Sequence, residues 1–151
     1  MNCREYVDKE YFVVYECEED KIAKIREDII ECEIKGFEII NPRKEKIEFI
    51  AIDNCLLLSN DKTERCDFAL IKSKKVFLVE LKTSVKPKNR NERLKKAINQ
   101  LKGCISKFDN IAECFVCFDK QVTVKSSWQR VINKFIENEG ILLKITCKKE
   151  F

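Results

Sequence analysis

Apolar and polar positions follow two periods along this chain, and the switches between them mark its elements. Around residues 19–34, Ile22, Ile25, Ile29 and Cys32 recur at helical spacing and Gly36 supplies a stop, which predicts a first helix. From about 91 to 108, Leu94, Ala97, Ile98, Leu101, Ile105 and Phe108 form one apolar stripe. Asn89 and Glu92 are spaced as a capping-box-like start for that helix. A third helix carries Trp128, Val131, Ile132, Phe135 and Ile136, with Ser126 or Ser127 as its cap and Gly140 at its end.

Shorter β-rich runs lie between the helices. Phe37 to Ile40 is one, ended by Asn41-Pro42, and 47–53 is another with partial alternation, followed by Cys55 to Leu58. Asn60-Asp61-Lys62 reads as a turn. Two runs, Arg65 to Ile71 and Val76 to Lys82, flank the polar break Lys72-Ser73-Lys74-Lys75, which predicts a hairpin. Val76-Phe77-Leu78-Val79 is apolar on both faces, the mark of a central strand covered on both sides. Ala112 to Phe118 and Ile141 to Thr146 complete the set. The order predicts one α/β domain over 1–151, a mixed central sheet flanked by helices, with no repeats and no low-complexity stretch.

The hairpin turns pattern into chemistry. A loop centred between Ser73 and Lys74 sets Ile71 opposite Val76, Ala69 opposite Leu78 and Asp67 opposite Glu80. Opposed residues in an antiparallel pair have Cβ atoms about 4.5–5.5 Å apart, and like charges there are destabilising. Two carboxylates so placed need a proton or a cation between them. The period of two adds Lys82 to the same face. A hard cation such as Mg²⁺ takes one or two carboxylates and keeps waters for chemistry. With an ammonium beside it, this is the equipment of a phosphodiester hydrolase. The bland alternative, a solvated hairpin end, leaves unexplained a glutamate that closes a strand apolar on both faces.

Composition narrows the field. The chain is 44% apolar and 37% charged, which excludes wholesale disorder, and it has no apolar stretch near the length of a membrane span. It contains no histidine, so Ser-His-Asp and Cys-His chemistries and imidazole zinc sites are excluded. Nine cysteines are scattered through apolar periodicity and read as free, buried thiols. Cys114 and Cys117, three apart on a strand, face opposite ways and are poorly placed to meet. A cysteine-based redox or metal-sensing role would need two sulfurs to come together. The N-terminus lacks a secretion-signal pattern, and a cytoplasmic location is expected. Charge is uneven: residues 1–34 carry eleven acidic against five basic side chains, while 82–102 carry eight basic against Glu92 alone. That basic stretch is either a solvated helix face or a rim for nucleic-acid backbone.

Asp67, a hairpin, Glu80-Leu81-Lys82 and a following helix with Gln100 together resemble the PD-(D/E)XK, or restriction-endonuclease-like, nuclease superfamily. Cys66 stands where that pattern often has proline. The resemblance covers nearly the whole chain, though only its centre carries specific residues. It implies an αβββαβ core, here with one further helix and strand. It also implies that Asp67 and Glu80 bind Mg²⁺ or Mn²⁺, that Lys82 assists the attacking water, and that Gln100 steadies the water or a phosphate. A glutamate of the first helix often joins such a metal, and Glu27 or Glu31 could do so, but a simply exposed acidic face is the preferred reading. Asp53 could approach the site, but a turn role is the simpler reading.

The expected function is a metal-dependent endonuclease acting on nucleic acid, DNA before RNA, in repair, junction resolution or defence against foreign DNA. Lys86, Lys88, Arg90, Arg93 and Lys96 would grip the backbone. The chain leaves little room for a base-reading domain, so specificity would come from DNA structure, a homodimer partner or a companion protein. The alternative is a non-catalytic nucleic-acid-binding or assembly subunit on the same fold, which would have no need of an acidic pair.

Overall fold

The computed structural model describes residues 2–27, 36–58, 63–118 and 122–151. Ten strands and two α-helices are formed among them. In chain order these are β1 (Arg4–Val7), β2 (Tyr11–Glu16), β3 (Ala23–Arg26), β4 (Phe37–Ile40), β5 (Ile47–Ala51), β6 (Phe68–Lys72), β7 (Lys75–Leu81), α1 (Arg90–Ile105), β8 (Ile111–Cys117), α2 (Ser126–Glu139), β9 (Leu142–Ile145) and β10 (Lys148–Glu150).

They make two mixed sheets. The larger runs β1-β5-β6-β7-β8-β9, antiparallel from β1 to β7 and parallel from β7 to β9. The smaller runs β10-β4-β2-β3, with β10 parallel to β4 and the remaining pairs antiparallel. The α/β class and the central strand are as expected: β7 is buried from Val76 to Leu81 because both of its faces are covered. The flanking differs from expectation. Both helices lie on one face of the large sheet, where Leu94, Leu101, Trp128 and Phe135 pack on Ala69, Leu78 and Val116. The small sheet covers the other face through Phe12, Phe37 and Ile39 against Phe68, Phe77 and Phe115. No helix among the described residues is long and apolar enough to cross a membrane.

The predicted first helix is corrected by this second sheet. Residues 23–26 are strand β3, paired with β2 across a turn in which Lys21 adopts a left-handed φ of 58°. Ile22 and Ile25 fit helical spacing, but Ala23 and Ile25 fit the strand period equally, and pairing with β2 settles the choice. The rest of the predicted helix, 28–35, lies outside the described residues, as does the turn at 60–62. Residues 55–58 form turns with an isolated bridge between Asp53 and Leu57, not a strand. The α1 stripe is buried as expected at Leu94, Ala97, Ile98 and Leu101, with Cys104 added to it. Neither helix has the side-chain cap expected: Asn89 makes no capping hydrogen bond, and Lys125, not a serine, precedes α2. Gly140 does end α2, left-handed at φ 68°.

The thiols need a larger correction. Cys3 is bridged to Cys55 and Cys117 to Cys147, so four cysteines expected to be free are disulfide-bonded. These partners lie 52 and 30 residues apart and meet only through sheet pairing, for example where Ala51 N–H donates to Cys3 C=O at 2.8 Å. Cys17, Cys66, Cys104 and Cys114 are free, and Cys32 lies outside the described residues. Cys114 and Cys117 do face opposite layers.

Candidate active site

The hairpin between β6 and β7 sets the geometry. Ser73 and Lys74 take left-handed φ values of 50° and 66°, the conformation of a two-residue turn that matches strand twist. The resulting register pairs Ile71 with Val76, Ala69 with Leu78 and Phe68 with Val79. Continued by one residue, it sets Asp67 opposite Glu80. Asp67 N–H donates to Val79 C=O at 3.2 Å, and Asp67 Oδ2 accepts from Leu81 N–H at 2.7 Å. Lys82 Nζ lies 2.9 Å from Glu80 Oε2.

The depth of this pair gives it chemical character. Glu80 is 1% exposed and Asp67 7% exposed. Burial raises both carboxyls above the usual range, Glu80 well above it, because the charged forms are desolvated. Asp67's charge raises Glu80 further, while Lys82 opposes the rise. The two carboxyls face each other across the hairpin, so their like charges oppose one another when both are ionised. Glu80 Oε1 is buried without a hydrogen-bond partner. A buried, unpartnered carboxylate oxygen is costly unless something fills the gap. With Asp67 opposite, that unpartnered oxygen is a donor set a hard cation would fit. Among the described residues no three carboxylates or thiols converge into a metal cage, and Mg²⁺ requires only one or two.

Two further carboxylates approach. Glu16 ends β2 at the mouth of the site, and burial together with Asp67's charge raises its carboxyl. No reading of the helical pattern would have found it. Its signal is the one that marked Glu80, a β-rich run, Phe12-Val13-Val14-Tyr15, closed by a glutamate. Glu27, a possible contributor, is exposed, as the preferred reading of that acidic face has it, and lies outside any helix; Glu31 lies outside the described residues. Asp53 N–H points to Asp67 C=O at 3.4 Å, and the Asp53 carboxylate takes Arg65 Nε at 2.6 Å.

Gln100 is half-buried on α1, which packs against β7 and β8. Its side-chain oxygen is buried with no partner, and it makes no hydrogen bond to Asp67, Glu80 or Lys82. Beside the carboxylates opens a cleft of about 460 Å³ lined by Lys82, Lys86, Lys88, Arg93, Thr83, Ser84 and Glu16, among others. Arg90, half-buried at the start of α1, and Lys96, exposed farther along it, do not line this cleft. Asp67 and Glu80 lie behind its wall at Leu81 and Lys82.

Gly103 holds the rear of the site. A Cβ at this position would lie 1.8 Å from Glu64 C=O, so only glycine lets α1 approach the segment leading into Asp67. Gly103→Ala is expected to destabilise the protein by about 1–3 kcal/mol through overpacking. A lowered denaturant midpoint with unchanged m-value checks this. No protein-family model, curated protein or solved structure matches this chain.

Proposed function

We propose that this protein is a metal-dependent endonuclease of the PD-(D/E)XK kind, acting on DNA. The observation that carries the reading is the buried Asp67–Glu80 pair with an unpartnered Glu80 oxygen and Lys82 at 2.9 Å. The β5-β6-β7 meander, followed by α1 and parallel β8, supports it as the βββαβ part of such a core. The strand β3 in place of a first helix departs from that pattern.

Asp67 and Glu80 would hold Mg²⁺ or Mn²⁺, which when bound neutralises phosphate charge and lowers the pKa of a water. Lys82 would use its ammonium to hold and orient the attacking water. Gln100 offers an amide to the same water or to a phosphate oxygen. Lys86, Lys88 and Arg93 bind the flanking backbone, with Arg90 and Lys96 engaging it outside the cleft. Nothing in this scheme reads base edges, so specificity falls to nucleic-acid shape or to a partner, a second copy of the chain or a companion protein.

Incubation with plasmid, branched DNA and RNA, in Mg²⁺, Mn²⁺ or EDTA, tests this reading. Metal-dependent cleavage that Asp67→Asn removes is expected. Metal-independent binding with no cleavage of any substrate would leave the non-catalytic subunit as the better description. The cleft makes a separate prediction. Replacing Lys86, Lys88 and Arg93 together by alanine should reduce the slope of log affinity against log salt by about 3, at about 0.9 per phosphate contact. Filter binding over a salt series measures it, and an unchanged slope removes the cleft from the interface.

A further inference from the structure

Two thiols that take no part in this chemistry meet directly behind it. Cys66 immediately precedes Asp67, Cys104 sits in the last turn of α1, and both are buried. Cys66 N–H donates to Cys104 Sγ at 2.9 Å, which brings the two buried thiol residues into direct contact. Gly103 makes the contact possible by letting α1 approach the backbone of Glu64. Neither sulfur belongs to a disulfide, in a protein that already bridges four others.

We propose that Cys66 and Cys104 form a reversible redox modification site, in which a peroxide converts the thiol pair to a disulfide that displaces Asp67 and weakens cation binding. The consequence for Asp67 rests on the metal-site reading above; bridge formation does not. The chemistry balances with hydrogen peroxide as oxidant. Cys104 sulfur attacks one peroxide oxygen and the O–O bond breaks. Water leaves with the thiol proton, and Cys104 becomes a sulfenic acid. Cys66 sulfur then attacks Cys104 sulfur, the S–S bond forms, the S–O bond breaks, and a second water carries off the Cys66 proton. Two electrons leave the thiol pair and reduce one peroxide to two waters. A thiol reductant reverses the bridge by exchange.

Access and consequence both follow from position. Cys104 lies one residue before the end of α1, and helix ends open locally at low cost. A disulfide holds its sulfurs at about 2.05 Å, closer than any hydrogen-bonded separation, so Cys66 must be drawn toward α1. Asp67 is the next residue, and its Oδ2 depends on Leu81 N–H at 2.7 Å. Pulling Cys66 disturbs that contact and the pairing of Asp67 with Glu80.

The test treats the full chain with stoichiometric hydrogen peroxide and maps it by mass spectrometry without reduction. The expected product joins the Cys66 and Cys104 peptides with the loss of two hydrogens while Cys17 and Cys114 remain free thiols. Mn²⁺ affinity, measured by calorimetry on the same sample, should fall about tenfold or more. Mild reductant should restore it while the map shows Cys117–Cys147 still bridged. Cys104→Ser should keep its Mn²⁺ affinity through the same treatment. Reaction at Cys17 or Cys114 with Cys66 and Cys104 both still free overturns the site. A bridged protein with unchanged Mn²⁺ affinity overturns the coupling to Asp67. If untreated protein binds no Mn²⁺, the metal reading fails on its own, and the map still decides the modification site.

Discussion

Glu80→Gln should abolish cleavage, by about 10³-fold or more, and at the same time make the protein more stable. The first effect follows from losing one of two charged oxygen ligands. The second follows from burial. Glu80 is 1% exposed, lies against Asp67 and has an unpartnered oxygen, so its charge is held at a cost that glutamine avoids. Lys82 does not reverse the sign, because Asp67 remains as its counter-charge. A gain of about 1–2 kcal/mol at neutral pH is expected. The gain should depend on pH in one direction only. Glu80 titrates near 4.3 in the unfolded chain and well above that when folded. Between those values the native protein holds the extra proton, so its stability falls as pH rises, and it levels off above the folded value. The difference between variant and wild type should therefore vanish in acid, grow through that window and then stay constant. Denaturant melts of both proteins over a pH series check it. A variant uniformly less stable would mean that the carboxylate is a structural partner of Lys82 and not a strained ligand.

A large stability effect, with a consequence for the site, is expected from the bridge between Cys117 and Cys147. It closes a separation of 30 residues and ties the end of β8 to the segment entering β10, which pairs with β4 of the second sheet. Glu38 N–H donates to Cys147 C=O at 2.8 Å, and Lys82 N–H donates to Cys117 C=O at 2.7 Å. The bridge thus fastens the small sheet to the strand beside Lys82. The double variant Cys117→Ala and Cys147→Ala should lose about 3–4 kcal/mol by loop entropy. A domain of this size should then melt roughly 6–16 °C lower. The matching loss for Cys3→Ala with Cys55→Ala, whose bridge closes a separation of 52 residues, should be slightly larger by loop entropy, but without effect on Lys82. Calorimetric scans of both pairs, with cleavage measured well below either melting point, separate fold from site. Equal loss of activity in the two variants would show that Cys117 has no particular influence on the site.

How much of this was legible in the sequence depends on the range of each contact. The β6–β7 register could be read because it needs only a two-residue turn and a period of two, and both are local. The α1 stripe was legible for the same reason, down to Leu94, Ala97, Ile98 and Leu101. Ile22 and Ile25 misled because three residues of spacing suit a helix, while the partner that makes β3 a strand lies in β2, beyond the window of any periodicity. Glu16 was missed with that partner, since its approach to Asp67 exists only once the small sheet lies across the large one.

What local pattern settled was therefore the opposition of Asp67 to Glu80, the position of Lys82 one pleat along, and the helix that follows. A turn and an alternation impose those relations before the chain has folded around them. Folding settled how deeply the two carboxyls lie, which cations face the cleft and which do not, and which thiols meet. Each of these sums contributions from segments far apart in sequence, and no spacing along the chain encodes such a sum. The paired carboxylates were written locally, and the burial that raises both of them is a consequence of what the rest of the chain packs around them.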